Sequence, residues 1–207
     1  MENKANFGQR FLAFIIEGFI TLIFYQIILM IFLPIKNPSL TLNFLFLWLS
    51  LMIIFNLLWT FINLFLISKL GGSVGKLLTG IQIVSPAGEK ISFWRAAFRN
   101  LIGYKVSTLP CWLGFIWIAI DKDKRSWHDQ IADTFVKVKN QWQTILGLGV
   151  LILVIFLNIF LGSLNYQRIK GTVKIYKEFF NSKYLEEETP PLEIPELENN
   201  FDNYYYY

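Results

Sequence analysis

Glu17 is the first residue whose type and position suggest chemistry, because it is a carboxylate within a long apolar stretch. An ionised carboxylate inside a transmembrane helix costs about 2.5–3.5 kcal/mol unless it is protonated, paired or hydrated. Arg10 lies about two helical turns earlier on the same face, so a direct pair would need Arg10 to reach inward by roughly 10 Å. We therefore expect Glu17 to be either an ion-linked group or the buried partner of Arg10 or of a base from another segment.

Other polar residues follow this face of the first apolar stretch and one face of a second stretch. If the two faces met, they could line a path for protons or cations. The alternative is that these side chains only hold the helices together by hydrogen bonds, which contribute about 0.6 kcal/mol each. At helical spacing the two stripes are Arg10, Glu17, Thr21 and Tyr25 in the first stretch and Asn56, Thr60 and Asn63 in the second.

A charged segment, 121–129, follows a further apolar run and ends in His128 and Asp129. Their adjacency is compatible with catalysis or metal binding, but one histidine and one cysteine cannot supply the ligands of a zinc or iron–sulfur site. The sequence also contains no phosphate-binding loop. We expect a structural role for His128, with Ser126 as the N-cap of a short helix, and we predict no catalytic residue, metal or cofactor.

The elements that position these residues are membrane helices, as the composition requires. Of the 207 residues 54% are hydrophobic and only 16% are charged, and a soluble chain of this size could not bury that apolar share. Three apolar stretches are long enough to cross a bilayer, at 11–33, 44–67 and 144–164. The first is too long for a cleaved signal peptide and holds a carboxylate, so we interpret it as an uncleaved anchor that ends at Pro34.

The region between the second and third spans has two interpretations. Residues 93–104 have the pattern of a helix at the membrane interface, and 102–120 either crosses the membrane or turns back after a kink at Pro110. The distribution of Lys and Arg does not separate the two, but only the hairpin brings the alternating segments 80–85 and 134–139 to one side, where they could pair as strands. We favour the hairpin. The predicted fold is all-α and integral to the membrane, with three to four transmembrane helices, a re-entrant or interfacial helical hairpin and a small strand-containing surface element.

Three blocks of the sequence resemble, in order, the signature blocks of the RDD family of bacterial membrane proteins. They are FGQRFLAFIIEGFI at 7–20, SVGKLLTGIQIVSPAGEKISFWRAAFRNLI at 73–102 and IAIDKDKRSWHDQIADTFVKV at 118–138. The family is named for an Arg and two Asp. Arg10 matches the Arg and Asp129 matches an Asp, whereas Glu17 stands where the family has Asp in the first helix. The resemblance covers about 7–139 and implies a multi-pass protein of the bacterial cell membrane with a suspected role in transport.

The resemblance and the apolar pattern together divide the chain into three parts. These are an RDD-like membrane domain at 1–140, an additional transmembrane helix at 141–166 and a C-terminal tail at 167–207 that is first basic and then acidic. The bilayer is the partner that the composition requires, and no nucleic-acid-binding motif is present.

Two functions fit this organisation. The first is transport of an ion or small molecule, with Glu17 as the ion-linked carboxylate and Arg10 and Asp129 as gate partners. Three or four spans are too few for a lone conduit, so a transporter would form a homo-oligomer. The second is a non-catalytic accessory subunit of a larger membrane complex, whose proline- and tyrosine-containing tail would dock on a partner.

Overall fold

Three long apolar helices make up most of the fold. The structure is a computed structural model that describes residues 3–32, 41–109 and 111–188. Within these ranges three helices are long and apolar enough to cross a membrane, namely α1 (Phe7–Phe32), α2 (Thr41–Leu70) and α8 (Gln141–Glu188). Their large apolar side chains are largely exposed at the surface, as expected where lipid is the solvent. The three predicted spans are confirmed, and the protein is an all-α membrane protein.

The third span continues far beyond its apolar part. A helix of 48 residues is about 72 Å long, whereas the hydrocarbon core of a bilayer is about 30 Å thick. Hydropathy marks only the part that lies in lipid, and the polar continuation contains no proline before Pro190 to end the helix. The helix end expected at Pro34, the kink expected at Pro110 and the tail beyond residue 188 lie outside the described residues.

Helices α1 and α8 run parallel and are joined by side-chain amides. Asn158 Nδ2 donates to the carbonyl of Phe19 over 3.1 Å, and Gln26 Nε2 donates to Asn158 Oδ1 over 2.9 Å. Two helical turns further on, Asn165 Nδ2 donates to the carbonyl of Gln26 over 3.1 Å. In lipid, apolar burial does not drive helices together, so these hydrogen bonds and close packing hold the pair.

The short elements form a surface unit on one side of the helices. Strands β1 (Ile81–Val84) and β2 (Phe135–Val138) pair antiparallel, with Ile81 opposite Val138. This confirms the predicted strand pair and places residues 68–92 and 121–140 on the same side. The remaining elements are α3 (Val74–Leu78), α4 (Phe93–Ala97), a π-helical segment (Phe98–Gly103), α5 (Tyr104–Thr108), α6 (Leu113–Ile116), a 3₁₀ turn (Trp117–Ala119) and α7 (Trp127–Ile131).

The segment between the strands is a helical hairpin, as predicted. Helix 93–108 and helix 113–119 are bent by 109° relative to each other, and the pairing of β1 with β2 brings both ends of this segment to the same side. The hairpin carries exposed apolar side chains toward lipid, including Trp94 and Leu109. An N-terminal extension of the sheet was not anticipated: the Ala5 N–H donates to the carbonyl of Val136 over 2.9 Å, and the Val138 N–H donates to the carbonyl of Asn3 over 2.8 Å.

A glycine sets the distance between α1 and the surface unit. A Cβ at Gly75 would lie 2.1 Å from the backbone carbonyl oxygen of Ala13, so any side chain there would force α3 away from α1. The close approach brings the neighbouring residues of α3 against the face of α1 that carries Glu17.

We expect Gly75→Ala to lower the free energy of unfolding by about 1–3 kcal/mol, because the clash is with backbone and cannot be relieved by a side-chain rotation. Thermal unfolding of the purified protein in mild detergent measures the change. Gly149→Ala is the matched control, since no atom lies within 4 Å of a Cβ at Gly149 in α8. A Gly75→Ala protein as stable as the Gly149→Ala protein would contradict the close packing of α3 on α1.

Candidate functional site

Asp129 is a fully buried carboxylate that accepts hydrogen bonds from two arginines. Arg99 donates to Oδ1 from Nε over 3.0 Å and from Nη2 over 2.6 Å, and Arg10 donates to Oδ2 from Nη1. Arg99 is itself almost completely buried. A buried charge of either sign requires such pairing, because burial of an isolated ion costs several kcal/mol.

Local structure explains how the three side chains meet. Ser126 is the N-cap of α7, and its backbone N–H donates to Asp129 Oδ2 over 3.2 Å, which fixes the carboxylate at the start of that helix. The π-helical segment brings both Arg99 and Gly103 onto the face that packs against α7. A Cβ at Gly103 would lie 2.9 Å from the Cβ of His128, so only glycine permits this approach.

The charges around Asp129 decide its protonation state. Burial favours the neutral acid, but the guanidinium groups of Arg99 and then Arg10 outweigh it and hold the pKa of the Asp129 carboxyl well below its usual range. The carboxylate is therefore ionised at any physiological pH. Arg10 also donates to the carbonyl of Lys124 over 2.6 Å, so it ties the start of α1 to the charged loop before α7.

His128 lies in a hydrogen-bonded chain that ends at the same carboxylate. Its Nδ1 is 3.2 Å from Ser107 Oγ and its Nε2 is 2.8 Å from Ser126 Oγ, which in turn donates to Asp129 Oδ2 over 2.8 Å. The ring packs on Tyr104 and Phe115. Burial holds the pKa of the His128 imidazole well below its usual value, despite the attraction of Asp129, so the imidazole is neutral. These contacts agree with the structural role expected for His128.

A cavity of about 550 Å³ lies beside this network, between α1, the end of α2, α3 and the hairpin. Its wall combines aromatic residues with a group of polar ones. The polar and ionisable residues are Arg10, Glu17, Thr21, Asn63, Ser73, Lys76, Arg99, Asn100, Tyr104 and His128.

Glu17 faces a serine and a lysine of the surface unit in this cavity. Ser73 Oγ donates to Glu17 Oε2 over 2.9 Å, and Lys76 Nζ donates to Ser73 Oγ over 3.2 Å. The hydroxyl thus stands between the carboxylate and the ammonium group. The base near Glu17 comes from another segment, which is one of the two alternatives that the sequence left open, whereas Arg10 pairs with Asp129.

The polar stripes separate into two groups. Glu17, Thr21 and Asn63 line the cavity, and Asn63 Oδ1 accepts from the backbone N–H of Val74 over 3.0 Å. Tyr25 and Asn56 form a hydrogen bond with each other between α1 and α2. The cavity wall, as far as the structure describes it, does not include Tyr25, Asn56 or Thr60.

The site contains residues that the sequence did not single out. Arg99 was expected on the interfacial helix at 93–104 rather than in a buried ion pair, and Ser73 and Lys76 were noted only as parts of the block at 73–102. In the ranges that the structure covers, no group of three or more His, Cys, Asp or Glu side chains is placed to hold a metal ion. What the arrangement can do is bind charged groups in a cavity next to lipid.

Comparison with known proteins identifies relatives for this arrangement. The model of the RDD family matches residues 4–133, which include Arg10, Glu17 and Asp129. The uncharacterized protein YxaI of Bacillus subtilis (strain 168) is 32% identical over 155 residues, which cover 67% of this chain and 100% of that protein. The uncharacterized protein YckC of the same organism is 36% identical over 70 residues, covering 32% of this chain and 46% of that protein. No solved structure matches the chain.

We expect Asp129→Asn to lower the free energy of unfolding by about 3–5 kcal/mol, because it leaves two buried guanidinium groups without their counter-ion. Thermal unfolding in mild detergent measures the loss. Asp123→Asn is the matched control: Asp123 pairs with Lys4 and Arg125 outside the buried network, and its loss changes stability little. Equal effects of the two substitutions would show that the Asp129 network does not hold the fold.

We also expect stability to decrease as the pH falls below about 6.5, because unfolded His128 binds a proton that the folded protein excludes. The limiting slope is about 1.4 kcal/mol per pH unit. The low pKa of Asp129 adds stability above about pH 4, and this contribution is lost only in stronger acid, so it leaves the interval between roughly pH 7.5 and 5.5 unaffected. Unfolding midpoints across this interval should be flatter for His128→Gln than for the wild type, and identical slopes would contradict the burial of a neutral imidazole.

Proposed function

Because this chain belongs to the RDD family, we propose that it is a multi-pass transport protein of the cell membrane in which Glu17 binds the coupling ion, a proton or an alkali cation. The position of Glu17 carries the proposal: it is a half-buried carboxylate on the wall of a cavity, within a helix long enough to span the membrane. The hydroxyl of Ser73 is its hydrogen-bond donor, so Glu17 can exchange a proton or cation without first breaking an ion pair with a guanidinium group.

Arg10 and Asp129 are the gate partners in this proposal. Arg10 lines the same cavity as Glu17, and its pair with Asp129 connects the start of α1 to α7. If the hairpin and α7 move relative to α1, the ion pair must therefore either break or keep its contact while both side chains move. The buried pair keeps the wall closed until such a movement occurs.

The proposed protein functions as a homo-oligomer, because three spanning helices cannot enclose a conduit by themselves. In this proposal the side of the membrane that carries the sheet faces the cytoplasm. Most of the Lys and Arg residues lie on that side, and cytoplasmic loops are enriched in these residues. The proposal includes no catalytic role, since its chemistry is the binding and release of an ion.

A second candidate function, that of an accessory subunit in a larger membrane complex, is favoured by α8. The helix continues to Glu188, well past the part needed to cross the bilayer, and its exposed side chains beyond residue 165 include several bases. A rigid projection of this kind is suited to contact a partner chain. It would leave the cavity without a transport role.

We expect the purified protein in proteoliposomes to carry H⁺, Na⁺ or K⁺ down an imposed gradient, and Glu17→Gln to abolish that flux, because an amide binds neither a proton nor a cation with the strength of a carboxylate. Glu17→Asp should retain flux with altered affinity, since its carboxylate is drawn back by one methylene. A fluorescent pH or Na⁺ indicator inside the vesicles reports the flux.

Asp123→Asn serves as the control for a carboxylate outside the cavity and should conduct like the wild type. Unfolding midpoints must be similar for all variants. Absence of flux in the wild type, or full flux in Glu17→Gln, would reject ion coupling and leave the accessory function as the better explanation.

A further inference from the structure

The cavity has an apolar mouth and a polar inner end. Its mouth is formed by aromatic side chains of α1 and of the N-cap of α6 that are about half exposed, namely Phe11, Phe14 and Trp112. Its inner end contains Ser73, which is buried, and Glu17, Lys76 and Asn100, which are half-buried. A volume of about 550 Å³ lies within the range of small-molecule sites. The shape and chemistry fit an amphipathic molecule that enters from the bilayer.

The charges at the inner end indicate the sign of the ligand's head group. Arg10 and Arg99 are engaged by Asp129. Within the described ranges Lys76 donates one hydrogen bond, to Ser73, although an ammonium group has three donors. The side-chain oxygen of Asn100 accepts a hydrogen bond from Arg99 Nη1 over 3.2 Å. The two N–H groups of the same amide are not used in this bond. Lys76 and Asn100 therefore have donors left for an anion.

We propose that the cavity binds an anionic amphiphile from the membrane, with its phosphate or carboxylate head group on Lys76 and Asn100 and its apolar chain between the aromatic side chains of α1 and α6. This inference deepens the proposed function, on which it rests, because it names the class of molecule that moves together with the ion at Glu17.

Glu17 couples the ion to the anion. A head group on Lys76 lies next to Ser73 and hence near Glu17, where two negative charges repel each other in a medium of low dielectric. Neutralising Glu17 with a proton removes this repulsion, so the proton and the anion each favour binding of the other, by the same factor.

The other groups around Glu17 define its electrostatic surroundings. Lys76 and Tyr104 face it from α3 and the hairpin, and the Arg10–Asp129–Arg99 cluster, with His128, closes the adjoining wall. Helix α2 between 46 and 68 and helix α8 between 141 and 165 contain no ionisable side chain.

The test measures ligand-induced stabilisation of the full chain in dodecyl maltoside, with dioctanoyl phosphatidylglycerol as the probe because its phosphodiester keeps one negative charge over the pH range used. A ligand that binds only the folded protein raises the unfolding midpoint with its concentration. Lys76→Gln should raise the apparent Kd about tenfold or more, Lys76→Arg should retain binding, and Lys105→Gln, a change of an exposed lysine outside the cavity wall, should leave it unchanged.

Two further probes separate head group from chain. Dioctanoylglycerol has the chains without the charge, and glycerophosphoglycerol has the charge without the chains, so each should stabilise the protein far less than the complete amphiphile. An equal shift with dioctanoylglycerol would overturn the anion site, and an equal shift with glycerophosphoglycerol would show a site for soluble anions instead. Wild-type affinity in Lys76→Gln would overturn the role of Lys76.

The pH dependence tests the coupling. Each midpoint shift is taken relative to the ligand-free protein at the same pH, which removes the contribution of His128. Binding to the wild type should tighten as the pH is lowered, whereas Glu17→Gln should bind tightly at every pH. The same pH dependence in both proteins would overturn the coupling. Ion flux without phosphatidylglycerol binding would reject this inference alone, and binding without any flux would reject the proposed transport while the site itself stands.

Discussion

The structure depends on a single buried carboxylate. Asp129 connects the start of α1 through Arg10, the π-helical segment through Arg99 and the cap of α7 through Ser126. A buried ion pair does not stabilise a fold more than well-packed apolar residues of similar volume would, but it penalises every arrangement in which one charge loses its partner. The network therefore specifies where the hairpin lies against α1, and that placement creates the cavity between them.

Close backbone approach makes this placement possible in lipid. Gly75 meets Ala13, Gly103 meets His128, and a Cβ at Gly114 would lie 2.5 Å from the Cα of Ser107. Since lipid chains are as apolar as leucine, segments associate there through van der Waals contact and hydrogen bonds rather than through apolar burial. Glycine residues on the inner face of the hairpin permit close van der Waals contact, and serine residues there form hydrogen bonds. The apolar outer face of the hairpin remains in contact with lipid.

The sequence predicted the elements better than the contacts between them. Apolar length identified the spans, and alternation identified β1 and β2, because bilayer thickness and strand pleating impose those patterns locally. Periodicity within one helix cannot show which other element packs on that face. The sequence therefore did not identify Lys76 as the base near Glu17. The burial of Arg99 was also missed, since its spacing fits an interfacial helix equally well, and the polar part of α8 has no hydropathy signal.

The charges around the cavity give Glu17 an influence on both kinds of ion. Two guanidinium groups share one carboxylate in the Asp129 network, so that network carries one more positive than negative charge, and Lys76 adds another. An ionised Glu17 offsets part of this surplus, and in the proposed function it is the group that binds the coupling cation. A neutral Glu17 leaves the surplus uncompensated and makes the same cavity more attractive to an anion. In the proposed function, the protonation or cation occupancy of this one side chain thus sets how strongly the cavity attracts an anion.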